Sequence, residues 1–293
     1  MKRVLFGTFA LAAFLAGPAM AADLPVKAPA YARPPPPAIS WTGWYVGLNA
    51  GGGWGTNSGI DNAVASWYCV ISGGCTGLVG SDPGYGLGTA RAVPLSFDSK
   101  LNGFLGGAQI GYNYQTGHTI LGIEADFQGA GIKGSASASN TVLVRSDVGN
   151  EFVTVAGTGS QKIDFLGTLR GRLGWTPNDG PSLLYMTGGL AYGHTETSVS
   201  FIEQASVDSG FNASSAASTK AWRAGWTVGG GFEWMFAPHW SVKGEYLYYD
   251  IGSVTVNNAI NAFSGSAPFF GVGIASEAHY RGSIARAGVN YHF

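Results

Sequence analysis

From Trp41 onward the chain alternates, residue by residue, between bulky apolar side chains and small or polar ones, in eight separate stretches. A period of two belongs to strands. In the first stretch Trp44, Val46, Leu48, Ala50 and Trp54 oppose Gly47, Asn49, Gly51 and Gly53; in the fourth, Ile163, Phe165, Leu169, Leu173 and Trp175 oppose Asp164, Thr168, Arg170 and Arg172. The others run from Leu101 to Gln115, Thr119 to Gln128, Leu183 to Thr195, Trp222 to Phe236, Trp240 to Tyr249 and Tyr280 to Phe293. Each matches the roughly 9 to 11 residues that a tilted strand needs to cross a bilayer, and aromatic residues gather at the stretch ends, as interfacial girdles require.

The connections alternate too. Gln115 to His118, Pro177 to Pro181 and Ala237 to His239 are tight turns, whereas Gly55 to Ser99, Ala130 to Gln161, Glu196 to Ala221 and Asp250 to His279 are long. The expected fold is therefore all-β: an eight-stranded antiparallel transmembrane up-and-down β-barrel with short periplasmic turns and long extracellular loops. A soluble sandwich would carry many Lys and Glu on its polar faces, but charged residues are only 11% of this chain, under half the usual share. Ten strands are the alternative, because Thr141 to Arg145 and Phe152 to Val155 also alternate; lacking flanking aromatics, they read as a hairpin in an outside loop.

Ahead of Trp41 the chain has two other characters. Residues 1–21 read as a signal peptide: Lys2 and Arg3, an apolar stretch from Val4 to Leu15, then Ala19-Met20-Ala21 as the cleavage site. That stretch is too short for a spanning helix, which needs about 20 residues. Residues 22–40 form a proline-rich periplasmic linker, leaving 41–293 as the barrel. Export permits a disulfide, and Cys69 and Cys75 are expected to close a small loop; two lone cysteines make a poor zinc site. A net charge of -1 offers no field for nucleic acid.

The inward faces carry the chemistry. The alternation sends Glu124, Asp126, Glu233 and Glu245 inward together with Arg170, Arg172, Lys243 and Arg286. Facing lipid these charges would be prohibitive, but inside they can pair, either as a structural filling or as a gate that rearranges into a narrow pore. No nucleophile, base and orienting acid converge, so the chain is not read as an enzyme and no cofactor is implied. His194 and His279 lie near the outer rim and are the two histidines that could ligate heme iron.

WTGWYVGLNAGGGWG at Trp41 to Gly55, GFLGGAQIGYNYQ at Gly103 to Gln115, GIEADFQ at Gly122 to Gln128, LGTLRGRLGW at Leu166 to Trp175, LLYMTGGLAYG at Leu183 to Gly193 and RAGVNYHF ending at Phe293 resemble the small outer-membrane β-barrels of the opacity-protein and outer-membrane-immunogenic-protein type, common in alphaproteobacteria. The resemblance covers the strands, not the loops. It implies a Gram-negative outer-membrane location, a structural role that supports the envelope and presents surface loops, and, as other readings, a narrow porin-like channel or a surface protein that binds hemin or a host ligand. The ending with Tyr291 and Phe293 resembles the signal read by the outer-membrane insertion machinery. An Ala22-Asp23 start resembles that of barrels whose terminal amine is joined to peptidoglycan, which makes Ala22 a candidate attachment point. The partners implied are outer-membrane lipid and lipopolysaccharide, the insertion machinery and, through Ala22, peptidoglycan.

Overall fold

A computed structural model of the protein describes residues 39–56, 58–69, 84–145, 150–177, 180–206, 212–264 and 267–293. The chain forms β1 (Gly43–Gly55), β2 (Ile60–Cys69), α1 (Gly84–Ala92), β3 (Ser96–Phe97), β4 (Asn102–Thr116), β5 (Thr119–Arg145), β6 (Glu151–Trp175), β7 (Ser182–Ala205), β8 (Asn212–Ala237), β9 (Trp240–Ser264) and β10 (Ala267–His292). Antiparallel pairing runs β1-β4-β5-β6-β7-β8-β9-β10, and β10 returns to β1 from Tyr45↔His292 to Gly55↔Gly282. The ring is thus closed by eight strands and has no free edge in the membrane. The sheet reaches ten strands because β2 pairs with the outer half of β10 and carries β3, neither of them in the ring.

The exterior of the ring matches a bilayer. Trp44, Leu121, Leu173, Trp175, Leu184, Trp234, Phe236 and Trp240 are exposed toward the short-turn end, and Trp54, Phe104, Phe127, Trp222 and Trp226 toward the other. Ten residues separate Trp44 from Trp54 on β1; at about 3.3 Å per residue and a tilt of about 40°, that is roughly 25 Å of membrane height, the thickness of the apolar band in such barrels.

Three of the links expected to be loops are largely strand. β5 to β10 are 24 to 27 residues long, more than twice what the bilayer needs. The Thr141 and Phe152 pieces continue β5 and β6 through Val142↔Val153 and so add no strands of their own. The remaining link, Gly55 to Ser99, contains β2, α1 and β3.

Beyond the membrane the two faces exchange character. Along β7, buried Tyr185 and Thr187 give way to buried Val199 and Phe201, while Ser198 and Ser200 turn outward. In β6 and β9 the parity itself switches. A bulge between Ile163 and Phe165 turns Ile163 into the interior, fully buried, rather than onto the greasy exterior with Phe165 as the alternation suggested. In β9 the switch falls at Gly252, whose φ of +82° suits a residue without Cβ and whose N–H donates to Asp250 Oδ1 at 2.9 Å. Ile251 faces inward before it, and Val254 and Val256 after it.

The outer half also opens into two leaves. β8 pairs with β9 only from Ala237↔Trp240 to Trp226↔Asp250. One leaf, β5 to β8, contributes Val153, Val155, Val199 and Phe201 to a shared apolar core; the other, built on β9, β10 and β2, contributes Val254, Val256, Ile260, Val272, Ile274 and Ile60. Helix α1 packs among β5, β6, β2 and β10. Each such side chain removed from water is worth about 1.5–3 kcal/mol, so this extension is a packed body and not a set of free loops.

Candidate functional site

The inward parity of the membrane half brings all eight predicted charges into one cluster, with side chains at most about 1% exposed where ion pairs are formed. Arg170 donates to Glu124, to Asp126 at 3.2 Å and to Glu245 at 2.8 Å. Arg172 reaches Glu233 at 2.7 Å and Glu124 at 3.3 Å. Lys243 sits 2.9 Å from both oxygens of Glu124, and Arg286 joins Glu245 at 2.7 Å to Asp126 at 2.8 Å. Four cations face four carboxylates, so the cluster is neutral as a whole. Arg or Lys facing lipid at the midplane would cost about 2–4 kcal/mol each; here each is desolvated but surrounded by acceptors, the condition under which buried charge is tolerated.

Uncharged polar groups carry the cluster to every strand of the ring. Tyr45 on β1 donates to Glu124 Oε2 at 2.7 Å and accepts from Arg172. Tyr185 on β7 donates to Glu245 at 3.1 Å, and the Arg172 guanidinium lies 4.0 Å from its ring centre. Asn49 donates to Gln109 at 2.9 Å, Gln109 to Asn290 at 2.5 Å and Asn290 to Glu233 at 2.6 Å, which joins β1, β4, β10 and β8. The two tyrosines are the members that charge patterning overlooked, though both stand at inward parity. A Cβ at Gly111 would lie 2.3 Å from the Tyr45 ring, so glycine is what lets that ring fold over β4.

Both ends of the cluster are stoppered by apolar side chains. At the short-turn end Trp41, Ile120, Leu183, Tyr185 and Met235 form a second buried cluster, with Trp41 edge-on to His292 at 5.6 Å and its indole N–H donating to Gly180 O at 3.3 Å. At the other end Leu105, Ile132, Ile163 and Leu166 begin the core of the extension. Within that core lies one carboxyl which sequence reading missed because it sits in a stretch taken for a loop. Glu203 is fully buried; Oε1 accepts from Thr89 Oγ1 of α1 at 2.8 Å, and Oε2 has no hydrogen-bond partner among the described residues. Burial in apolar surroundings pushes its carboxyl up to about 7.

The remaining candidates are dispersed. His194 on β7 pairs with Asp164 at 2.7 Å and His279 on β10 with Asp61 at 3.3 Å, so the two histidines have different partners on different strands. Among the described residues no three of His, Cys, Asp and Glu gather into a metal site. Tyr291 and Phe293 pack together at 5.3 Å in the short-turn girdle, where Tyr291 also meets Trp240 at 5.2 Å. Ala22, Cys75 and the signal segment lie outside the described residues, as does the side chain of Cys69.

A closed eight-stranded ring with an aromatic-girdled exterior and a paired ionic interior defines an integral outer-membrane β-barrel protein. The chain belongs to the outer membrane protein beta-barrel domain family, which it matches over residues 9–293. It is 32% identical to the 31 kDa outer-membrane immunogenic protein of Brucella melitensis biotype 1 over the full length of both chains. The 25 kDa outer-membrane immunogenic protein of Brucella canis is 25% identical over 82% of this chain and 89% of its own. OprG from Pseudomonas aeruginosa is a looser match, with a TM-score of 0.36 and 11% identity over 87% of this chain and 99% of that one. The protein therefore resides in the outer membrane of a Gram-negative bacterium.

Proposed function

We propose that the protein is a non-conducting structural barrel: it reinforces the outer membrane, displays a rigid two-leaf platform outside it and is tethered to the cell wall by its N-terminal segment. The observation that carries the closed-barrel reading is the balanced charge cluster stoppered by Trp41, Ile120, Leu183 and Met235 below and by Leu105, Ile132 and Ile163 above. For an ion to pass, paired charges would have to separate and two apolar layers would have to part, and each of these carries a large desolvation cost. Planar-bilayer recording of the refolded protein should therefore show no discrete conductance steps. Reproducible steps that change size on Lys243→Ala would overturn the closed reading in favour of a narrow channel.

The tether is supported by the sequence of the leader. Cleavage after Ala21 leaves the Ala22 amine, with an ordinary pKa near 8, at the end of a proline-rich linker that spans about 3.1 Å per residue when extended. Mass spectrometry of muramidase-digested cell walls should recover an Ala22 peptide bearing a muropeptide remnant. A free amine on every recovered N-terminal peptide would exclude attachment.

A further inference from the structure

Apart from Lys243 in the interior, every lysine of residues 39–293 lies on one outer patch: Lys100, Lys133, Lys162 and Lys220. Strand register aligns three of them in a row across the β5–β8 leaf, Lys133↔Lys162↔Glu196↔Lys220. Lys100 precedes β4 beside them, its carbonyl oxygen 2.7 Å from where a Cβ on Gly134 would lie. All four are exposed, with the side chains of Lys162 and Lys220 at 48% and 62%. Beneath the row stand the outer girdle aromatics Phe127, Phe165, Tyr192 and Trp222, which touch one another in a continuous belt. Above it, the next outward-facing row is Ser135↔Ser160↔Ser198↔Ser218, followed by Ser137, Thr158 and Ser200. A concavity of about 690 Å³ opens there between Lys100, Lys133, Lys162 and Ser198.

From the membrane outward the leaf thus presents aromatic rings, then ammonium groups, then hydroxyls. A phosphorylated glycolipid presents acyl chains, then phosphate, then sugar in the same order. We propose that this patch is a binding surface for the phosphorylated headgroup of an outer-leaflet glycolipid, with the lysines on phosphate and the serine rows on sugar hydroxyls. Two carboxylates, on β6 and β7, share the patch. Glu196 holds Lys220 at 3.4 Å, and Asp164 is engaged by His194 at 2.7 Å and lies 3.7 Å from Lys162. Among the described residues Lys100 and Lys133 have no ion pair with either; of the other exposed acids, Asp61 and Glu277 stand on β2 and β10, in the opposite leaf, and Asp98 stands two residues before Lys100, between β3 and β4.

The test is binding of purified lipopolysaccharide to the folded full-length protein in a non-ionic detergent, followed by native mass spectrometry at two salt concentrations. Wild type should retain the glycolipid, and the combined variant Lys100→Gln, Lys133→Gln, Lys162→Gln, Lys220→Gln should bind about tenfold or more weakly, with a reduced salt dependence. Heat-modifiable gel migration confirms that the variant is folded. Wild type should lose affinity to a similar extent for phosphatase-treated lipopolysaccharide, an arm that needs no variant. Equal binding by wild type and variant, or unchanged binding after phosphate removal, would overturn the proposal. So would phosphatidylglycerol competing as well as the glycolipid, since the surface would then read charge alone.

Discussion

Replacing Arg170 should expose how strictly the interior depends on charge balance. In the wild type Arg170 is shared by Glu124, Asp126 and Glu245. Arg170→Ala leaves four buried carboxylates to three cations. Arg172 and Lys243 already serve Glu233 and Glu124, so Arg286, with Lys243 at 4.0 Å from Glu245, must answer both Asp126 and Glu245. An uncompensated charge in such a site costs about 3–5 kcal/mol. Adding Glu245→Gln removes the surplus: the amide oxygen can still accept from Arg286 Nε, now 2.7 Å from Glu245 Oε2, and its NH₂ can donate to the Tyr185 hydroxyl, 3.1 Å from Oε1. Both variants lack the same side chain, so the cavity left by Arg170 cancels between them. The double variant should therefore be more stable than Arg170→Ala alone, with a coupling of about 0.5–3 kcal/mol. Urea unfolding of protein folded into phosphatidylcholine vesicles, read by tryptophan fluorescence and gel migration, measures this. Arg91→Ala, on the exposed face of α1, is the control and should stay within about 0.5 kcal/mol of wild type. Additive losses in the double variant, or equal small losses for Arg170→Ala and Arg91→Ala, would refute the network argument.

Other outcomes follow from the outer half and the chain end. Glu203 has its carboxyl raised from an ordinary 4.5 to about 7, so the folded extension holds the proton more tightly than the unfolded chain. Its stability should be full below about pH 4.5 and fall as pH rises through 7, by about 3 kcal/mol in all. Amide protection factors at the tip of β7 and in α1, taken relative to the intrinsic exchange rate at each pH, should then be lower at pH 8 than at pH 5, and Glu203→Gln should remove the difference; protection that is independent of pH in wild type would contradict this. Gly252→Ala forces a side chain into a backbone with φ +82° and should cost about 1–2 kcal/mol, detected as earlier urea unfolding, with no loss if the bulge relaxes. Deleting Phe293 should leave precursor in the periplasm in a fractionation blot if the terminal aromatic is the assembly signal, whereas a girdle role alone predicts normal surface levels and only a small stability loss.

The membrane half can be read from the alternation of the chain. Lipid on one side and a narrow interior on the other force every residue of a crossing strand to declare a side, so Trp44, Val46 and Leu48 against Asn49, or Phe127 against Glu124 and Asp126, can be read off a period of two. The inward charges were legible for the same reason, because charge on the lipid face is not affordable. Which cation meets which acid was not legible. Arg170 and Glu245 are 75 residues apart and touch only because the ring closes β6 near β9 across its interior, and Tyr45 and Tyr185 enter the cluster through that same geometry. The outer half owes its buried faces to packing between distant strands. There water replaces lipid on the outer face, so Ser, Thr and Ala become acceptable outside while Val and Ile move in, and a loop-like composition conceals a strand. Bulges at Asp164 and Gly252 then shift the parity within β6 and β9, so that a single phase carried through from the membrane half misplaces Ile163. Which face such a strand buries depends on the leaf that packs against it, and that leaf comes from a distant part of the chain.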